Sequence, residues 1–440
     1  MKSIVACIFA LFTFMTLNGA ELPEQEGQLI SHRLKMSFSI DELKDLWKSK
    51  QIPKFIAPLN YGIDIYEVVY AAPWVDGTMI QASGLYFLPQ MKPGEQLPVA
   101  VYHHGTQLTR DRMPILQDAQ KGVSIGLAAD GFITLMPDYY GIGKSDVRHL
   151  YQHAWSEAMS TIYMLYAIDE LNEILGVDRK ADIYLTGYSQ GGHATMAAHK
   201  YLEKLAHPDY KVVASSPLSG AYDMSGAQSK VMFETYTQPF YLPYLLVTYQ
   251  DAYGYFSGDI YEVFKPPYDT LIPKYMDGSK GHSAFNKVLP DVPADMLKDE
   301  YIHEFKTNPD FPILQRIEEN NIYEWVPEAP VNFCYCSNDE EVAGENSVVA
   351  YNWMKENGAN DVRLNNLSDV FYHNDCALFA IVETNFFFNN IRKGKLKRRK
   401  GPPFKRWLVK IYKRRTEKKI LKERNEQVHQ TESLRAKTQE

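Results

Sequence analysis

The feature that most constrains this chain is a short run in its middle. Asp182 to Gly187 (DIYLTG) reads as a β-strand and passes directly into Gly187-Tyr188-Ser189-Gln190-Gly191. An alanine-rich helical stretch, Gln190 to Leu205, follows at once. A G-x-S-x-G string alone arises often by chance, as a small turn between two elements. Between a strand and a helix it specifies a sharp, strained turn that lifts the serine oxygen clear of the sheet. Side chains at positions 187 and 191 would collide with the neighbouring strand or helix, which explains the glycines. The Gln190 N–H then sits at a helix N-terminus, where unpaired donors and the helix dipole favour negative charge.

The surrounding sequence alternates in the same way. Strand-like runs occur at Pro98 to His104, Gly131 to Pro137, Val212 to Leu218, Pro330 to Cys336 and Asp361 to Leu367. Helical periodicity marks His153 to Leu175, stopped by Gly176, then Asn346 to Glu356 and Cys376 to Phe388. Alternation of this kind predicts βαβ units and a mainly parallel central sheet flanked by helices, an α/β fold. Antiparallel strands within Tyr61 to Leu88 lead into it. Met224 to Trp325 breaks the alternation and is too long for a loop. It holds 11 Tyr, 7 Phe and 1 Trp, and is expected to be a mostly helical subdomain inserted between two late strands. The expected organisation is a core of 61–223 and 326–390, an insertion over 224–325, a helical extension over 21–60 and a tail over 391–440.

The two ends differ from the body. Lys2 followed by the apolar run Ile4 to Leu17 and the exit Asn18-Gly19-Ala20 reads as a signal peptide over 1–20. An uncleaved N-terminal anchor is the alternative. A secreted, periplasmic or cell-envelope location follows from either. Three cysteines remain beyond the leader, Cys334, Cys336 and Cys376. One pair could bond, leaving one thiol free. No His/Cys spacing suits zinc, so neither metal nor cofactor is expected. Residues 391–440 hold 19 Lys and Arg against 5 Asp and Glu, whereas the whole chain has a net charge of −7. Phe404, Trp407, Leu408 and Ile411 share one helical face there. A solvated charged extension is the plain reading, and a surface helix for an anionic lipid or envelope polymer the sharper one.

A nucleophilic serine needs a base, and the base an orienting acid. With the elbow at Ser189, the acid and then the histidine should follow along the chain. Asp339 lies just beyond the strand Pro330 to Cys336, with Glu340, Glu341 and Asp223 as competitors. Of twelve histidines, His373 alone combines this order with a loop, the one before the final helix. His193 is expected to pack within its helix and Asp138 to cap a turn that holds the elbow loops. Gln190 and Thr106 are the candidate oxyanion donors, Thr106 because Gly105 permits close backbone approach. No P-loop or dinucleotide glycine spacing is present, and nothing points to nucleic acid.

At Tyr102-His103-His104-Gly105-Thr106-Gln107, Pro137-Asp138-Tyr139-Tyr140-Gly141-Ile142-Gly143, Gly187 to His193 and Cys336 to Asp339 the chain resembles the α/β-hydrolase superfamily, and more narrowly its secretory lipase/esterase branch. The resemblance spans roughly residues 60 to 390. It implies that 224–325 forms a cap over the active site and that a small-molecule or lipid ester is cleaved through an acyl-enzyme. Gln238 to Phe256 is apolar and aromatic, fit for an acyl pocket or for cap core packing. A secreted peptidase would need cap carboxylates to grip a free amino terminus, and Glu234 and Glu262 are available. A non-catalytic binder would need a damaged triad. Nothing in the sequence sets the oligomeric state.

Overall fold

The computed structural model describes residues 25–52, 58–110, 113–394 and 403–438, so the signal peptide expected over 1–20 lies outside them. Nine strands form one sheet: β1 Leu29–Phe38, β2 Ile63–Pro73, β3 Met79–Pro89, β4 Leu97–His103, β5 Ile133–Pro137, β6 Arg179–Tyr188, β7 Lys211–Leu218, β8 Val331–Tyr335 and β9 Val362–Asn366. Their order is β1-β2-β3-β5-β4-β6-β7-β8-β9. The pairs from β5 to β9 are parallel, and β1, β2, β3 and β5 pair antiparallel. Every residue of β4 and of β5 is buried, as strands covered on both faces require.

Helices supply that cover. On one face α3 (Ala154–Leu175) and α4 (Gln190–Leu205) bring Leu165, Ile168, Met196 and Ala197 against Val99, Val101, Ile183 and Leu185. On the other, α2 (Ala119–Asp130) and α11 (His373–Arg392) bring Ile125, Leu127, Phe387 and Phe388 against Ala100 and Tyr184. Gly176 ends α3 in the left-handed conformation at φ 67°, as expected of a residue without Cβ. The helix α10 (Glu345–Glu356) lies between β8 and β9.

The insertion between β7 and β8 is helical, with α5 (Tyr241–Tyr253), the short α6 (Tyr268–Leu271) and α7 (His282–Asn286), α8 (Asp299–Thr307) and α9 (Pro312–Glu318). It has its own apolar core around Phe240, Tyr249, Phe264, Phe285 and Met296.

Three expectations change. Among the described residues of 21–60 only α1 (Ile40–Ser49) is helical, because Leu29–Phe38 is a strand that pairs with β2 and forms the sheet edge. Its apolar residues alternate too weakly to show this from sequence. His373 is the first residue of α11, one turn before the expected helix start. Finally, the basic tail is the helix α12 (Pro403–Thr438), and its inner face is docked on the body. Val409 and Ile420 join the cluster of Phe371, Phe379 and Ala380, and Arg406 pairs with Glu383 of α11 at 2.6 Å.

Candidate active site

β6 delivers Ser189 to the carboxyl edge of the sheet, and the backbone there is strained. Ser189 has φ 62° and ψ −124°, a conformation that costs a non-glycine residue about 1–3 kcal/mol and persists only when its surroundings impose it. The surroundings do so. The Ser189 N–H donates to Leu218 O of β7 at 3.0 Å, and Ser189 O accepts the first α4 bond from Gly192 N at 2.8 Å. The glycine argument holds in detail. A Cβ on Gly187 would lie 2.3 Å from Gly191 O, and one on Gly191 would lie 2.1 Å from His103 O.

The imidazole arrives from the N-terminus of α11. His373 Nδ1 lies 2.7 Å from Asp339 Oδ2 and 2.9 Å from Oδ1. Asp339 Oδ1 also accepts the backbone N–H groups of Glu341 and Val342. These bonds fix the carboxylate at the exit of β8. Glu340 Oε2 accepts the His373 N–H at 2.8 Å. The ring is tied to the elbow by Tyr188, whose hydroxyl donates to His373 O at 2.6 Å and whose ring lies 4.9 Å from the imidazole centroid. The Asp339 and His373 loops are clamped by a disulfide, Cys336–Cys376, while Cys334 is buried and free. The bridge closes a 40-residue separation. Its removal in Cys336→Ser/Cys376→Ser is expected to lower stability by about 2–4 kcal/mol in chemical denaturation.

Glu341 is the acid competitor that finds a different place. It lies on the far side of the ring, Oε2 4.0 Å from His373 Nε2, and it accepts hydrogen bonds from Gln238 Nε2 and the Tyr241 hydroxyl. Burial pushes the His373 imidazole down, but Asp339 first, then Glu341 and Glu340, outweigh it, and the net direction is upward. A protonated imidazole cannot act as base, so this raises the acid limb of activity. In Glu341→Gln that limb is expected to move to lower pH, read from kcat/KM against pH.

The candidate oxyanion donors sit on either side of the serine. Gln190 N–H is the first of α4, where no intrahelical acceptor exists. A Cβ on Gly105 would lie 3.8 Å from Ser189 Cβ, which puts the Gly105-Thr106 backbone against the nucleophile. The buried Thr106 hydroxyl has no hydrogen bond of normal geometry.

Below the elbow lies a buried chain of polar groups. Gln190 Nε2 donates to Glu157 Oε1 at 2.8 Å and reaches His149 Nε2 at 2.9 Å. His149 Nδ1 reaches Tyr140 O at 3.0 Å, and burial pushes its pKa down to about 3, so the ring is neutral. Glu157 Oε2 meets His193 Nδ1 at 2.6 Å, and His193 Nε2 meets Asn320 O at 3.0 Å. Glu157 and His193 are wholly inaccessible. His193 is therefore more than the packing residue expected of it. Sequence reading missed Glu157, whose signal was a lone carboxylate inside the apolar stretch of α3. Asp138, at the exit of β5, accepts a hydrogen bond from the Ser83 hydroxyl of β3 at 2.5 Å.

Ser189 and Glu341 line one cavity of about 210 Å³ that runs into the cap. Its far walls are apolar, among them Leu242, Leu245, Phe256, Leu297, Phe305 and Ile313. Glu234 and Glu262 are exposed and line none of it. Among the described residues no group of three or more His, Cys, Asp or Glu is arranged to hold a metal ion.

A serine elbow, a carboxylate-held imidazole at the carboxyl edge of a mainly parallel sheet, and an apolar cavity beneath a helical insertion define a carboxylic ester hydrolase of the α/β-hydrolase class. The profile of the Secretory lipase family matches residues 115–378, and the chain belongs to that family. Among solved structures, it is 29% identical to a protein named as a hydrolase from Legionella pneumophila, covering 82% of this chain and 98% of that one with a TM-score of 0.75. The ligand-bound rice cell wall degrading esterase LipA from Xanthomonas oryzae is 25% identical over 82% of this chain and 95% of that one, TM-score 0.72. Candida antarctica lipase A shares the fold at 14% identity, over 84% of this chain and 83% of that one, TM-score 0.62. A comparison with curated protein sequences finds no significant match.

Proposed function

We propose that this chain is a secreted esterase for apolar acyl esters, with Ser189, His373 and Asp339 as its catalytic triad. The observation that carries the reading is the cavity that opens at Ser189 and is walled deep in the cap by aliphatic and aromatic side chains. Such walls favour an acyl chain by removing its surface from water, at about 25 cal/mol per Å² buried.

In this reading His373 Nε2 takes the Ser189 proton as the oxygen attacks the ester carbonyl. Asp339 holds Nδ1–H and stabilises the imidazolium. The N–H groups of Gln190 and Thr106 receive the oxyanion, each worth about 3 kcal/mol in the transition state. His373 then protonates the departing alcohol, and a water activated by the same ring releases the acid. The strained Ser189 backbone and the Tyr188–His373 contact support the assignment because both hold reacting groups in fixed positions. The family and the apolar leader together support export. Among the described residues no helix is long and apolar enough to cross a membrane.

p-Nitrophenyl esters of graded acyl length test the reading. The expected result is kcat/KM rising from acetate to longer chains as the cap cavity fills. A preference for acetate, or activity only on aminoacyl amides, would sink it.

A further inference from the structure

The helix α12 has two unlike faces. Its inner face is pinned to the body by specific polar contacts with α11 and with the segment that leads into it. Arg406 pairs with Glu383, Lys413 Nζ donates to Leu367 O, Ser368 donates to Glu417 at 2.7 Å, and the Arg424 guanidinium lies 3.5 Å from the Tyr372 ring centroid. Val409 and Ile420 fill the seam between them. The helix is therefore held in one orientation, and its opposite face is turned outward.

That outward face carries the apolar residues. Phe404, Trp407, Leu408 and Ile411 fall at i, i+3, i+4 and i+7, which places them on one side of a helix. Phe404 is 66% exposed and Trp407 56%, their rings stacked at 5.9 Å. Single exposed apolar residues need no explanation, but two large exposed rings side by side, on a stripe with the half-buried Leu408 and Ile411, do. Cations surround them. Lys405, Lys410, Arg414, Arg415 and Lys418 have no carboxylate partner among the described residues, whereas Lys419 and Lys422 face Glu423 and Glu426. The rest of the molecule is acidic, 28 Lys and Arg against 49 Asp and Glu once the 19 and 5 of residues 391–440 are subtracted from 47 and 54. Twelve of those 19 cations lie on α12 and the other seven precede it, so the positive charge is concentrated at this end of the chain.

We propose that the outer face of α12 docks the enzyme on an anionic lipid surface, with Phe404 and Trp407 inserted at headgroup level and Arg414, Arg415 and Lys418 on the phosphates. Aromatic rings with an apolar body and flanking lysines are the pattern of a helix lying in the interface plane. A soluble polyanion would use the charges and leave the aromatic stripe without a purpose. A second copy of the chain would bury the stripe and form a dimer.

The test is co-sedimentation of the full chain with vesicles of phosphatidylcholine containing phosphatidylglycerol, beside vesicles of phosphatidylcholine alone. Sedimentation with the anionic vesicles only, suppressed by 0.5 M salt, is expected. Phe404→Ser/Trp407→Ser should weaken partition at least about tenfold, and Arg414→Glu/Arg415→Glu/Lys418→Glu at least about a hundredfold. Both variants should hydrolyse a soluble short-chain ester at the parent rate, which shows that they fold. Three results would overturn the idea: no sedimentation, sedimentation unchanged by the serine pair, or a sedimentation-velocity dimer of the parent that the serine pair dissolves.

Discussion

Ser189→Ala is expected to abolish ester hydrolysis, lowering kcat by about 10⁴–10⁶-fold while the protein stays folded. Ser189 is the residue that the elbow forces into a strained backbone, with Gly187 and Gly191 left bare so that strand and helix can approach. Removing one oxygen leaves those constraints untouched, so thermal stability should hold or rise slightly as it leaves substrate binding intact. His373→Ala should cost a comparable amount, because in the proposed triad the two act in one proton transfer. Their double variant should be no slower than the worse single one, since groups that work as a unit are non-additive. A double variant showing the product of the two losses would mean that His373 serves some other step. The residual rate left in each case reports what binding and the oxyanion donors contribute alone.

The second large effect concerns stability. Glu157→Ala is expected to destabilise the fold by about 3–5 kcal/mol, read as a lower denaturant midpoint. Glu157 accepts from Gln190 and His193, and both carboxylate oxygens are used in a site with no solvent access. Deleting the acid leaves a buried imidazole facing Asn320 O on one side and nothing on the other, and it removes one of the two contacts of Gln190 Nε2, leaving that to His149. Because Gln190 begins α4 next to the nucleophile, kcat should fall as well. Replacing Glu157 and His193 together by apolar residues of matching volume should recover much of the stability, since a buried pair costs more to break than to remove whole. Recovery of stability without recovery of kcat would identify the network as positioning the elbow rather than only filling space.

Parts of this molecule were legible because they follow from local rules. The elbow at Gly187-Tyr188-Ser189-Gln190-Gly191 is one, since a turn that tight admits few residues. The meeting of Asp339 and His373 is another, because strands that run parallel leave their exits on one edge, where a proposed acid and base can come together. The inserted subdomain was visible as a break in alternation. The strand Leu29–Phe38 was not, because an edge strand with one face exposed carries a weak pattern, and only its pairing with β2 makes it a strand. Which cysteines bond was equally hidden, since spacing does not tell how far apart two chain segments end in space.

Charged groups divide most clearly between the two levels. The sequence by itself determined that the body is acidic, that the tail is basic, and that candidate carboxylates and His373 follow Ser189 along the chain. It could not determine their partners. Glu157 meets His193 through 36 residues of intervening chain, Glu341 faces His373 across 32, and Glu383 holds Arg406 across 23. An ion pair is a matter of a few ångströms, and only the packing of α3 on α4, of the β8 exit on α11, and of α12 on α11 sets distances that short. Composition decided the charges, local geometry decided the strained elbow at Ser189, and tertiary contact alone decided what each charge meets.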